Sequence, residues 1–355
     1  MEKMNYTYDD IQLVPQYSEV ESRTKLNLET NLTTTYRLMV PYIASPMDTV
    51  CDSGMAIRMM QLGAVGCIHR FMSIDEQVRH AEAVDDYKVR NEDGLKEVWG
   101  DNPIPVMAAI GANGDYFERA EKLVAAGVNI LLIDVAHGHH IYVKNALEKL
   151  IKYRLLYSPR NYFNIIAGNI ATEKAATDLV NWGADGIRVG IGGGSLCTTR
   201  LETGHGIPNV TSLIETEKGA FGVPIIADGG IRSAGDIAKA LAVGADSVML
   251  GSLLAGTQET PSPVIEKGQH LYKRYRGSAS LETKSAHGQA LRNAEGESTV
   301  IPFKGGVKFT IQRLNDGLRS ALSYSGATNI EEYQAKAKWV IVTNAGIQEA
   351  KPHLL

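Results

Sequence analysis

One pattern recurs along this 355-residue chain: a short β-prone apolar run, a glycine-containing or polar loop, then an amphipathic stretch. The runs lie at residues 41–45, 64–69, 105–110, 129–134, 164–167, 186–189, 224–227 and 247–250, with helical patterns such as 116–126, 173–182 and 234–243 between them. Several runs are almost wholly apolar, as strands covered on both faces must be, and strand–helix alternation favours a parallel sheet. Gly127, Gly183 and Gly244 stand where helical patterns stop, placed to cap each helix before the next strand. The repeat makes this an α/β chain, and eight units predict a (β/α)8 barrel of the TIM type. Spacing does not show closure, so an open doubly wound sheet is the alternative. Residues 1–355 are expected to form a single catalytic barrel domain. Residues 1–40 fall outside the repeat and are predicted to be an N-terminal arm closing the barrel base. Residues 255–310 are too long for a βα turn and are predicted to pass over the active-site mouth.

Charge narrows the partners. With a net charge of −4 the chain has no general attraction for nucleic acid or an anionic membrane, so any phosphate must be held by a local site. No apolar run approaches a membrane span, and the first residues lack the basic and apolar regions of a signal peptide. The three cysteines, Cys51, Cys67 and Cys197, are too few and odd in number for a disulfide framework. A reducing, cytoplasmic location is expected.

In such a barrel the catalytic groups sit where strands end. The ends here read Ser45-Pro46-Met47-Asp48, His69-Arg70, Asp134 with His137-Gly138-His139, Gly168-Asn169, the Cys197 loop, Asp228-Gly229-Gly230 and Gly251-Ser252. The glycines of the last two loops expose backbone N–H groups, and Ser195 and Ser252 add hydroxyls, which suits a phosphate cradle with Asp228 on a ribose. The plainer alternative is that these glycines only make tight turns. Cys51 and Cys67 lie in or beside apolar elements and read as structural. Cys197 follows Gly192-Gly193-Gly194-Ser195-Leu196 and precedes Thr198-Thr199-Arg200; a nearby positive charge or helix N-terminus would favour its thiolate. It is the candidate nucleophile. A zinc site at Asp134, His137, His139 and His140 is the competing reading of that loop, but no second cluster supplies further ligands at convincing spacing.

Taken together these segments resemble the IMP dehydrogenase/GMP reductase family over nearly the whole chain. The match is carried by Tyr8-Asp9-Asp10-Ile11, Ser45-Pro46-Met47-Asp48-Thr49-Val50, Ile68-His69-Arg70, Asp134-Val135-Ala136-His137-Gly138-His139, Gly168-Asn169, residues 190–200, residues 226–232, Met249-Leu250-Gly251-Ser252, Tyr275-Arg276-Gly277 and Pro302-Phe303-Lys304-Gly305. The resemblance implies a (β/α)8 barrel with a mobile flap at about 277–300, assembled as a homotetramer. It implies a purine nucleoside monophosphate, GMP or IMP, as substrate, with NADPH or NAD as cofactor. By the same resemblance Cys197 would attack purine C2, and Thr199 and Glu295 would relay protons to and from the C2 substituent. Ser195, Gly229, Gly230, Gly251, Ser252 and Tyr275 would hold the phosphate and Asp228 the ribose. Ser45, Met47, Asn169 and Gly277 would lie around base and sugar. Asp134, with Ala136, His137 and Gly190, would meet the nicotinamide dinucleotide. Carbonyls of Gly192, Gly194 and Cys197 would offer half of a monovalent-cation site, for K+.

Both reactions of the family share the cysteine adduct, so direction must be sought elsewhere. Residues 71–104 are too short for the CBS modules that dehydrogenases usually insert there. Dehydrogenases carry an adjacent Arg-Tyr pair in the flap to activate water; residues 281–294 contain none, although Arg292 or His287 could substitute. Gly277-Ser278-Ala279-Ser280 replaces the usual Gly-Met-Gly-Ser, and Gly193 stands in place of a proline, leaving that loop less constrained. The N-terminal Asp9-Asp10-Ile11-Gln12-Leu13-Val14-Pro15 and the tail Ala345-Gly346-Ile347-Gln348-Glu349-Ala350 look more like dehydrogenases. The expectation is GMP reductase chemistry on a dehydrogenase-like scaffold, with IMP dehydrogenase as the alternative. An FMN-dependent barrel oxidoreductase and a non-catalytic nucleotide-binding protein are more remote readings of the same glycine loops.

Overall fold

The computed structural model describes residues 4–157, 162–286 and 294–351. Eight parallel strands close into a barrel: β1 (Tyr42–Ala44), β2 (Val65–Ile68), β3 (Met107–Ile110), β4 (Ile130–Asp134), β5 (Asn164–Ile170), β6 (Gly186–Val189), β7 (Ile225–Asp228) and β8 (Ser247–Leu250). They pair in sequence order, and β8 returns to β1 with Met249 opposite Ile43. Closure settles the choice left open by spacing. All eight predicted runs are strands; the largest difference is β5, which continues past a register shift at Gly168 so that Ile170 pairs with Val189. That extension puts Asn169 inside the strand end. The strands are buried on both sides, as their apolar sequences require, with Ile43, Ile133, Ile166, Ile187, Ile226 and Val248 all fully covered.

The helices behind the barrel, α1 (Ser53–Gln61), α2 (Ile74–Arg90), α3 (Tyr116–Ala125), α4 (Ile141–Tyr157), α5 (Glu173–Asn181), α6 (Asn209–Ala220), α7 (Ala234–Ala242) and α8 (Val307–Tyr324), start on side-chain caps where the sequence supplies them. Ser73, Thr172 and Ser233 each accept the N–H three residues on. A second device recurs at the barrel base. Gly127, Gly183 and Gly244 take φ of 90°, 92° and 107°, turning α3, α5 and α7 back toward the sheet. Two residues later Asn129, Asp185 and Asp246 accept the N–H of Val106, Ile165 and Ile225 at 2.8, 2.8 and 2.7 Å. Asp185 is also bonded by Arg154 at 2.7 Å. For Asp246 the Ile225 N–H only partly offsets desolvation, and burial pushes its carboxyl up to about 6.

The N-terminal arm is split between the two ends of the barrel, which corrects the expectation that all of it closes the base. A small hairpin, Thr30–Asn31 with Arg37–Leu38, does close it. Thr33 and Thr35 bond Asn164 at the start of β5, and Thr30 Oγ1 donates to the Asp246 carbonyl at 2.7 Å. Residues 6–10 lie at the mouth instead. A Thr7–Asp10 capping box folds them into one turn, Lys239 Nζ holds the Tyr8 carbonyl at 2.7 Å, and Arg232 pairs with Asp9.

The long segment after β8 forms an antiparallel sheet, β9 (Val264–Lys267), β10 (His270–Arg276) and β11 (Ser298–Pro302). Arg276 docks it to the mouth through two bonds to Asp48 Oδ2, at 2.9 and 2.6 Å. Within the flap, His287 and Arg292 lie outside the described residues. Among the described residues no helix is long and apolar enough to cross a membrane.

Candidate active site

A cavity of about 590 Å³ opens at the C-terminal ends of the strands, within the range that accommodates a small-molecule ligand. It brings together Ser45, Met47, Asp134, Ala136, Asn169, Gly190, Gly192, Gly194, Ser195, Cys197, Thr199, Asp228, Gly229, Gly230, Gly251, Ser252, Tyr275, Gly277 and Glu295. His137 is exposed and does not line it. Its neighbour His139 turns to the outer layer, where Nε2 lies 2.7 Å from Asp178 and the ring stacks on Trp182. Among the described residues no group of three or more His, Cys, Asp or Glu is placed to hold a metal.

The glycines of the cysteine loop serve close approach. A Cβ on Gly190 would lie 2.0 Å from the Asp228 carbonyl, and one on Gly192, at φ 73°, would lie 2.4 Å from Arg200 Cγ. The loop therefore wraps Arg200, whose Nε donates to Ile191 O at 3.0 Å and whose Nη2 donates to Ile207 O at 2.7 Å. The guanidinium thus donates to loop carbonyls and, at 3.4 Å, to Asn209 Oδ1, while the Ile207 carbonyl also accepts the Ser212 hydroxyl at 3.2 Å. Gly193 does not leave the loop slack either. A Cβ there would meet the Asn209 amide at 2.5 Å, and Asn209 Nδ2 in turn donates to Gly229 O at 2.5 Å. Asn209 thus joins the two glycine loops.

Cys197 Sγ lies 3.1 Å from Thr199 Oγ1, which donates to Glu295 Oε2 at 2.7 Å. Glu295 arrives from the far side of the flap, and backbone pairing places it: Thr198 N to Glu295 O at 3.1 Å and Glu297 N to Leu196 O at 2.9 Å. Cys51 and Cys67 are fully buried, and burial pushes both thiols well above the ordinary range, which leaves Cys197 as the reactive candidate.

The same cavity is lined by a charged chain only partly visible in the sequence. Asn169 Nδ2 donates to Asp228 Oδ2 and to Gly190 O, each at 2.7 Å. Arg188, buried in β6, donates to Asp134 Oδ1 at 2.5 Å and reaches Asp228 Oδ2 at 3.0 Å. Burial works against its charge, but Asp228 and Asp134 outweigh that and hold the guanidinium protonated. Arg70 adds a looser pair to Asp134 at 3.6 Å. Arg188 is absent from the site residues that the sequence motifs suggest. Its signal was available: an arginine in an otherwise apolar strand must find a partner, and the carboxylates at neighbouring strand ends are the ones in reach.

Another part of the cavity suits an anion. Gly229 and Gly230 take φ of 89° and 73°. Among the described residues the N–H groups of Gly230, Gly251 and Ser252 have no acceptor, while all three residues line the cavity. Tyr275 Oη lies 3.2 Å from Ser195 Oγ and so close to Gly251 that a Cβ there would sit 2.9 Å from it. Unpaired donors gathered on a concave wall favour a phosphate. Of the Gly192, Gly194 and Cys197 carbonyls expected to take part in a monovalent-cation site, that of Gly194 already accepts the Cys197 N–H at 3.1 Å. Three oxygens are too few to replace a hydration shell, so a further segment would have to complete such a site.

Comparison with known proteins gives the same constellation a context. Residues 5–353 match the model of the IMP dehydrogenase / GMP reductase domain. An inosine-5'-monophosphate dehydrogenase of Cryptosporidium parvum is 39% identical, the match covering 98% of this chain and 94% of that one. A GMP reductase of Leishmania major is 32% identical, with 98% and 96% covered. That alignment spans 477 positions against 355 residues here, so the relative carries insertions that this chain lacks. A crystal structure of a cysteine-to-alanine GMP reductase variant from Trypanosoma brucei, in complex with guanosine 5'-monophosphate, superposes with a TM-score of 0.88 at 29% identity, covering 99% of this chain and 98% of that one. The closed barrel, the cysteine loop and these matches agree: the chain belongs to the IMP dehydrogenase / GMP reductase family of purine-nucleotide oxidoreductases.

Proposed function

We propose that the protein converts GMP and NADPH to IMP, ammonia and NADP+, through a covalent adduct of Cys197 at purine C2. The observation that carries the direction is the flap: residues 281–294 hold no Arg-Tyr pair to activate water, while Thr199 and Glu295 stand ready beside the sulfur to move a proton. The phosphate would rest on the N–H groups of Gly230, Gly251 and Ser252 with Ser195 and Tyr275, and the ribose on Asp228. Cys197 Sγ would then add to C2, and the C2–amine bond would break as the leaving nitrogen takes a proton from the Thr199–Glu295 relay. The nicotinamide dinucleotide, held at the Asp134, Ala136 and Gly190 side, supplies the hydride to C2 when bound. Re-forming the ring double bond releases the sulfur and IMP. Glu295 accepts and returns protons through Thr199, a role that contributes roughly 10²–10⁴-fold in comparable sites.

The second reading is NAD-dependent oxidation of IMP to XMP, favoured by the 39% identity to a protein named for that reaction. A cytoplasmic homotetramer, with K+ completed by a neighbouring copy, belongs to either reading. Purified protein with GMP and NADPH is expected to oxidise the cofactor and release ammonia in equal amounts. Reduction of NAD+ with IMP, and no turnover of GMP, decides for the dehydrogenase.

A further inference from the structure

The strand that delivers Tyr275 also carries a buried ammonium. Lys273, two residues earlier on β10, is 3% exposed. Its Nζ donates to the carbonyls of Thr257 at 3.0 Å, Gln258 at 3.0 Å and Thr260 at 2.7 Å. An ammonium has three protons, so its hydrogen-bonding capacity is filled by main-chain oxygens and none is left for a carboxylate. The oxygens end a run of turns that begins at the phosphate wall: Ala255 N bonds Gly251 O at 2.8 Å, and Thr257 N bonds Leu254 O at 3.1 Å. Residues two apart on a strand share a side, so Lys273 and Tyr275 face the same layer, and both are buried. A second lysine extends the arrangement, with Lys304 Nζ on the Ser252 carbonyl at 2.7 Å.

Three convergent carbonyls present their negative ends to one point and repel one another unless a cation occupies it. We propose that Lys273 is a positioning residue acting as a tethered monovalent cation, whose ammonium holds Thr257, Gln258 and Thr260 and thereby sets Gly251, Ser252 and Tyr275 at the spacing a nucleotide phosphate requires. This role rests on the reading of the cavity as a mononucleotide site. Removing the ammonium leaves an oxygen-lined vacancy that a small cation can fill.

The test is equilibrium binding of GMP, IMP and the phosphate-free guanosine to the full chain. Lys273→Met, of similar length and uncharged, is expected to weaken GMP and IMP binding about tenfold, equivalent to one phosphate hydrogen bond lost as the donors shift, with guanosine changed less than about twofold. In Lys273→Ala, n-propylammonium, which replaces the missing atoms, and K+ are expected to restore GMP binding, whereas tetramethylammonium is not. GMP affinity unchanged in Lys273→Met overturns the role, as does an equal loss for GMP and guanosine, or a folded Lys273→Ala that neither cation rescues. Should both variants fail to fold, the more exposed Lys304→Met is expected to weaken GMP binding about threefold, and unchanged binding there overturns it. A wild-type protein that binds neither nucleotide refutes the reading of the cavity itself, whereas wild-type affinity retained by Lys273→Met refutes this inference alone.

Discussion

Thr199→Val replaces one hydroxyl by a methyl of similar size, and that hydroxyl makes both bonds of the relay: 3.1 Å to Cys197 Sγ and 2.7 Å to Glu295 Oε2. Backbone pairing of residues 196–198 with 295–297 does not involve the side chain, so the loop geometry should survive. A positioned proton-transfer group contributes roughly 10²–10⁴-fold, or about 3–5 kcal/mol of barrier. Both bonds are lost together, so kcat is expected to fall about 10³-fold. Loss of a single neutral hydroxyl costs about 1 kcal/mol of stability, and GMP affinity should stay within about threefold. NADPH consumption at saturating GMP measures kcat, and equilibrium binding measures the affinity. Glu295→Gln should act on the same step, so the double variant should be no slower than the slower single one. A Thr199→Val enzyme retaining kcat within about tenfold, or single effects that multiply in the double variant, refutes a shared relay.

Other outcomes follow from the same geometry. Arg188→Gln leaves Asp134 and Asp228 without their common cation and should cost about 3 kcal/mol of stability in denaturant unfolding, while raising KM for both nucleotide and dinucleotide; an effect on one KM alone contradicts the bridge. Asp246 binds its proton more tightly folded than unfolded, with its carboxyl raised from 3.8 to about 6. Its contribution is thus full below about pH 4 and lost as pH rises through about 6. Asp246→Asn keeps the acceptor for Ile225 N–H and should gain about 2–3 kcal/mol at pH above 7 with little change near pH 4; an equal gain at both contradicts the assignment. Cys197→Ala should abolish turnover and retain GMP binding within about threefold, since the sulfur bonds no phosphate or ribose group.

Much of the fold was legible because a barrel repeats its instructions. The Gly127-Val128-Asn129, Gly183-Ala184-Asp185 and Gly244-Ala245-Asp246 triplets each end a helix, bury a small side chain and satisfy an N–H of the preceding strand. Apolar strands and glycine turns are local signals, whereas closure depends on the long-range pairing of β8 with β1 and shows only in the structure. The site was legible where chemistry is marked by residue type, as at Cys197, Asp228 and the glycine loops. It was obscured where a role depends on direction in space. Arg200 stands near Cys197 in sequence yet faces the carbonyls of Ile191 and Ile207. Arg188 and Asn209 join loops far apart in the chain, and residues 6–10 reach the mouth although they precede every barrel strand.

The most direct test of Cys197 as the nucleophile is mass mapping after incubation with a purine ribonucleotide bearing chloride at C2. A thiolate bound at the electrophilic carbon displaces chloride and leaves a nucleotide-sized increment on its peptide. The expected result is stoichiometric labelling of the peptide containing Cys197, blocked by GMP, with the buried Cys51 and Cys67 unmodified. Labelling that GMP does not block, or an unmodified Cys197 in a protein that binds GMP, contradicts the covalent account.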